Sequence, residues 1–315
     1  MAVSGQTSSH PATDSASDPR SSWIDPKVLM SVRNLQWRAQ KVVDGFQSGL
    51  HRSPKHGFSV EFSEYRPYSV GDDPKTIDWK LYARSDRYYQ KKFEDETNRR
   101  CYLVIDQSRS MDYSSIAYSK LEYARTLIAS LALFLLRQRD AVGAVTFDEK
   151  VTDWLTARFR TGQFQRILSM LEKPCQGHST AMVAPLQQIA ELVKHRSLVL
   201  IVSDFLFPPE SLQIPLSFLR VRKHEVVLFR VLDPQELDFT ADKPVLVRDL
   251  ESGEERFVDG FAMGATYRNN FEKHRRKLET VLAPLGIPCI DFSTTDPMET
   301  VLARFLAMRE GVGAR

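Results

Sequence analysis

The chain has 315 residues, 42% hydrophobic and 26% charged, a globular composition long enough for one large α/β domain and something smaller. Its 43 basic and 40 acidic side chains leave a formal charge of +3, too balanced to indicate nucleic acid as a partner. The most apolar stretch, Leu127 to Leu136, is interrupted by Ser130 and falls far short of the ~20 residues that cross a bilayer, so no membrane span is expected.

Residues 1–22 are rich in Ser, Thr, Pro and Asp, without the apolar centre of a secretion signal, and are expected to form a disordered tail. Residues 23–97 form an N-terminal segment with weak helical patterning over 25–48, then an aromatic and charged stretch in which Asp86 to Phe93 reads as a strand. From residue 98 the pattern becomes regular. Cys101 to Ile105 is a buried strand, and a helix begins at Ser119, which with Glu122 has capping-box spacing ahead of Leu121, Ala124, Ile128, Leu131 and Leu135 on one face. Strand 142–147 follows, with 151–155 as its pairing candidate, and then helices over 164–171 and 182–193. Ser197 to Val202 is an apolar run of the kind that suits a strand covered on both faces.

A helix over 210–221 and a strand over 225–232 come next, and residues 233–260 read as a β-hairpin insertion built from Val245–Leu250 and Arg256–Val258. A helix over 266–283, a strand over 288–292 and a last helix starting at Asp296-Pro297 complete the chain. There is no internal repeat. The alternation predicts an α/β fold with a doubly wound, mostly parallel sheet over residues 98–315. Cys101, Cys175 and Cys289 show no paired spacing, which points to reduced thiols and a cytoplasmic protein.

Asp106-Gln-Ser-Arg-Ser110 carries the chemistry. A carboxylate and two hydroxyls on alternate residues fall where the 101–105 strand leaves the sheet, and the carboxyl ends of parallel strands are where open α/β sheets place ligands. The set is all hard oxygen and suits Mg²⁺ or Mn²⁺ rather than zinc. Asp204 ends the 197–202 strand in the same way, and Thr180 or Ser179 in the loop Gly177-His-Ser-Thr180 can reach the same edge. Asp106, Ser108, Ser110, Thr180 and Asp204 are therefore the candidate ligands. If one of the two carboxylates binds a dication directly and the other acts through water, the ion stays electrophilic and keeps a position open to an acidic side chain of a partner.

Asp-x-Ser-x-Ser with a downstream Thr and a strand-end Asp resembles the metal-ion-dependent adhesion site of von Willebrand factor type A domains. Gly57-Phe-Ser-Val-Glu-Phe-Ser-Glu-Tyr-Arg-Pro-Tyr-Ser-Val-Gly-Asp-Asp-Pro-Lys-Thr-Ile-Asp-Trp79, followed by Ala83-Arg84, resembles the signature of a bacterial family, domain of unknown function 58. Asp233-Pro-Gln-Glu-Leu-Asp238 is similar to that family as well, so the likeness runs over roughly residues 50–310. The resemblance implies a von Willebrand A-like (Rossmann-like) fold with an inserted β element. It also implies a role as adaptor or chaperone-like partner of a MoxR-type AAA+ ATPase. Many members carry transmembrane helices ahead of the signature; none stands there in this chain.

The segment holding Arg66, Tyr68, Asp72, Asp73, Asp78, Trp79 and Arg84 reads either as a turn packed on the sheet or as a partner-binding surface. Gly71 to Thr76 lacks the Gly-Lys-Thr ending and the preceding strand of a phosphate loop. Acidic residues from Asp78 to Glu96 interrupt the basic and aromatic pattern that single-stranded nucleic acid would require. Lys273-His-Arg-Arg-Lys277 reads as the solvated face of its helix. No Gly-x-Ser-x-Gly elbow, His-Glu-x-x-His helix or Gly-x-Gly-x-x-Gly turn is present. The expectation is a metal-dependent binding module rather than an enzyme, with a metal-dependent hydrolase or phosphotransferase at the same site as the alternative.

Overall fold

The computed structural model describes residues 23–52, 65–67, 82, 89–91, 99–174, 182–239, 245–248, 255–258 and 260–313. The expected tail over 1–22 lies outside them.

The main sheet has six strands: β3 (Arg100–Asp106), β4 (Ala141–Phe147), β5 (Val151–Arg158), β6 (Leu198–Ser203), β7 (Glu225–Leu232) and β10 (Cys289–Ser293). Their order is β10-β7-β6-β3-β4-β5, with β5 alone antiparallel, at the edge beside β4. Two two-stranded pairs stand outside this sheet: β1 (Tyr65–Pro67) with β2 (Tyr89–Lys91), and β8 (Val245–Arg248) with β9 (Glu255–Val258). The mixed α/β fold is thus the expected doubly wound, mostly parallel sheet, and β8–β9 is the expected hairpin insertion.

Helices cover both faces because the central strands are apolar on both. Along β3, Cys101, Leu103 and Ile105 face one layer while Tyr102 and Val104 face the other. The first layer is built from α2 (Leu35–Arg52), α3 (Lys120–Arg137), α4 (Gln163–Leu171) and α9 (Met298–Gly313). The second is built from α5 (Val183–Leu192), α6 (Gln213–Val221) and α8 (Gly260–Leu282). The short α1 (Pro26–Met30) precedes α2, whose Val42, Val43 and Phe46 enter the first core; Phe46 meets the ring of Phe134 edge-on at 5.8 Å.

Some elements begin elsewhere than the pattern suggests. The helix expected over 210–221 opens as a 3₁₀ turn at Pro209–Leu212 before α6. Helix α8 starts at Gly260, six residues before the expected 266; Gly260 and Gly264 are poor helix formers and conceal its first turns. Ser119 caps α3 as expected, accepting the Glu122 N–H at 3.2 Å.

Candidate functional site

Counted along the sheet in chain order, the six strands run 3-2-1-4-5-6. The connections therefore leave β3 and β6 in opposite directions, and the crevice above their carboxyl ends is the place where such sheets bind ligands. Asp106 ends β3, and Ser203-Asp204 end β6 beside it.

Asp106 is fully buried. Its Oδ1 accepts the Ser108 N–H at 2.8 Å, and its Oδ2 accepts the Ser203 hydroxyl at 2.7 Å. These bonds fix the carboxylate and turn the chain into a 3₁₀ turn over Arg109–Asp112, where the Oγ atoms of Ser108 and Ser110 lie 3.2 Å apart. Burial first, then the nearby charge of Asp204, pushes the Asp106 carboxyl up to about 7, against the pull of the hydrogen bonds from Ser203 and Ser108. Asp204 is 1% exposed and is followed by Phe205 at φ +49°, a left-handed conformation unusual for an aromatic residue. The Phe205 N–H donates to Ser203 Oγ at 3.1 Å, and its carbonyl meets His274 Nε2 at 2.7 Å, so the bend behind Asp204 is held on both sides.

The structure therefore brings together four polar side chains of the strand ends: Asp106, Ser108, Ser110 and Asp204. Thr180 and Ser179 lie outside the described residues. So do Tyr68, Asp72, Asp73, Asp78, Trp79 and Arg84; Arg66 is placed in β1, opposite Gln90. The cluster Lys273 to Lys277 lies on α8 largely exposed, with Arg275 and Arg276 paired to Glu272, as expected of a solvated face.

A lysine that the sequence reading did not single out completes the site. Lys120, the first residue of α3, is 0% exposed, and its Nζ donates to Asp204 Oδ2 at 2.8 Å and to Glu236 Oε1 at 2.5 Å. The Tyr113 ring lies 5.8 Å from the same ammonium. Burial acts to lower the Lys120 pKa, but Asp204 and Glu236 outweigh it and raise it, so the lysine is held charged. Glu236 is itself shifted up by burial, against the stabilising charge of Lys120.

Glu236 belongs to α7 (Pro234–Leu237), a single turn closed by a capping box in which the Asp233 carboxylate accepts the Gln235 N–H and Glu236 Oε2 accepts the Asp233 N–H at 2.9 Å. Asp233 also accepts from both the N–H and the hydroxyl of Ser115, and the Tyr113 hydroxyl donates to Gln235 at 2.9 Å. The Tyr118 hydroxyl donates to the Thr294 carbonyl at 2.9 Å. The loop from Gln107 to Ser119 is thereby pinned to the ends of β7 and β10.

The donor set fits a divalent cation of the Mg²⁺ type. Adjacent corners of an octahedron with bonds of ~2.1 Å stand about 3 Å apart, close to the 3.2 Å between Ser108 Oγ and Ser110 Oγ. Among the described residues no basic side chain pairs with Asp106 beside them, whereas the Asp204 oxygen facing Lys120 is already engaged.

A family model described as "Protein of unknown function DUF58" matches residues 64–281, more than half of the chain. The chain belongs to the DUF58 family. Two relatives, uncharacterized protein Rv1480 of Mycobacterium tuberculosis and uncharacterized protein Mb1516 of Mycobacterium bovis, are each 26% identical over 295 residues, covering 90% of either chain. Among solved structures, the conserved hypothetical protein BatB from Bacteroides thetaiotaomicron covers 67% of this chain and 98% of its own, at a TM-score of 0.41 and 14% identity. The SpRpn10 VWA domain covers 65% and 94%, at 0.38 and 12%. The DUF58 match ends within α8, so β10 and α9 are assigned to the sheet and its first layer by the structure. Among the described residues no helix is long and apolar enough to cross a membrane, and no three His, Cys, Asp or Glu side chains converge as a metal cluster.

Proposed function

We propose that this DUF58 protein is a protein-interaction module that recognises its partner through a divalent cation, Mg²⁺ or Mn²⁺, at the crevice between β3 and β6. The observation that carries the reading is the convergence of the Ser108 and Ser110 hydroxyls beside the buried Asp106 carboxylate at the topological switch point. Asp106 anchors the cation, directly or through water, and the two serines bind it without adding charge. Asp204 orients bound water, and Thr180 or Ser179 closes the set. Bound there, the cation supplies an open position for a carboxylate from the partner. The partner proposed on the family resemblance is a MoxR-type AAA+ ATPase or its client, with this chain as adaptor.

Binding is favoured over hydrolysis or phosphoryl transfer by the state of Asp204. A base must be free to take a proton, and Asp204, whose charge acts on Asp106, is held by the Lys120 ammonium without a cation and by the cation and its water with one. Calorimetric titration of Mg²⁺ and Mn²⁺ into chelator-treated protein tests the reading. Saturable uptake is expected in wild type and its loss in Asp106→Ala, with the circular dichroism spectrum unchanged. Uptake that survives Asp106→Ala would sink the assignment. Turnover of a phosphoester, lost in the same variant, would favour the enzyme.

A further inference from the structure

An ion cradle of one carboxylate and two hydroxyls does not call for a buried ammonium, yet this crevice contains one. Lys120 lies against Asp204 and Glu236 with no exposed surface, and as an ammonium it cannot itself be a ligand of the cation. The two carboxylates differ in how they are held. Asp204 offers Oδ2 to Lys120 and, among the described residues, accepts at Oδ1 a single 3.4 Å contact from the Leu206 N–H, so within this set it is held loosely once the ammonium leaves. Glu236 is locked from behind by the Asp233 N–H on its Oε2, in a turn that is itself tied to Ser115. It therefore remains in place whether or not Lys120 stays on Asp204. Asp204 and Glu236 share a single ammonium, so even with Asp106 protonated the pair keeps an excess negative charge that draws a cation.

Resting on the divalent-site reading, we propose that Lys120 is a tethered competitor of the divalent cation for Asp204, and that Glu236 is the fixed anchor that keeps the ammonium when Asp204 is given up. Without a cation the lysine satisfies Asp204, so the crevice is not left with two bare adjacent carboxylates. With a cation, Asp204 turns toward it and Lys120 relaxes onto Glu236 and the face of Tyr113. Affinity for the cation is thereby set low by the protein itself. A partner carboxylate that adds to the cation then shifts the balance toward the loaded form.

Mn²⁺ titration by calorimetry into chelator-treated protein tests this with two variants. The double variant K120M/E236Q removes one charge of each sign, keeping the net charge while freeing Asp204. It is expected to take up Mn²⁺ more tightly than wild type, on the order of tenfold or more, as expected for release of one charge-assisted hydrogen bond. The single variant E236Q leaves the ammonium with Asp204 as its remaining charged partner and is expected to bind more weakly than wild type.

Uptake by the double variant where wild type shows none also supports the proposal. Equal or weaker uptake by a folded double variant overturns it while leaving the site in place. Should the double variant not fold, E236Q decides, with equal or tighter binding overturning the proposal. Absence of uptake in wild type and every folded variant overturns both this proposal and the divalent-site reading. Persistence of uptake after adding Asp106→Ala overturns the site reading and, with it, this proposal.

Discussion

Asp106 carries a pH dependence whose sign follows from its surroundings. Its ordinary pKa of 3.8 is moved to about 7 in the folded protein, so between these values the folded form holds a proton that the unfolded chain has lost. The unfolded state then binds fewer protons, and stability falls as pH rises. The contribution of this group is greatest below about pH 4, declines up to about pH 7 and is constant beyond. Glu236, also shifted up, acts in the same direction, whereas Lys120, raised above 10.5, changes only at alkaline pH. In chelator, the unfolding free energy of wild type relative to Asp106→Asn should decline from pH 4 to pH 7. The same comparison in Mg²⁺ should be flatter. A wild-type-minus-variant difference that stays level in chelator would contradict the burial and charge described here.

At the scale of elements, the tightest constraint lies where β4 meets β5. A Cβ on Gly143 would come within 2.5 Å of the Leu155 carbonyl oxygen and 2.7 Å of the Ala157 nitrogen, both backbone atoms, at the register shift between Val142 and Ala144. Backbone cannot step aside as a side-chain tip can. Gly143→Ala should therefore cost on the order of 1–3 kcal/mol in urea unfolding. It should do so without abolishing ion uptake, because β3 and β6, not β5, carry the site. At the other end of α3's chemistry, Ser119 satisfies the Glu122 N–H at the N-terminus that also presents Lys120. Ser119→Ala should cost about 1 kcal/mol by the same measurement. It should also weaken the placement of Lys120, shifting Mn²⁺ affinity upward rather than downward.

Across the whole molecule, the sheet was legible because its strands are continuous apolar runs bounded by turn residues, and because Asp106 and Asp204 end two of them. The triplet at 106–110 was legible for the same reason: its position relative to a strand end is local information. Lys120 was not read, because a lysine at the first position of an amphipathic helix ordinarily faces water. Its partners stand 84 and 116 residues away, and only the folded sheet brings them to it. A signal existed nonetheless. Lys120 precedes Ala124 by four residues and Ile128 by eight, placing it on the apolar face of α3, and Asp233-Pro-Gln-Glu236 has capping-box spacing that fixes a carboxylate at a strand end. The early start of α8 was hidden by glycines whose cost is local, whereas the packing that overrides it is not.

The loop from Gln107 to Ser119 is stapled at its start by Asp106, in its middle by Asp233 and Gln235, and near its end by Thr294. A protease must draw several consecutive residues into extended form to cut a chain, and here each staple belongs to a different strand end. Cleavage between Gln107 and Ser119 should therefore run no faster than opening of the sheet itself, with or without a divalent cation. Limited proteolysis followed by mass spectrometry would then make this loop a clock for global unfolding. A partner meeting this surface would find it already shaped, losing none of the binding free energy to ordering it.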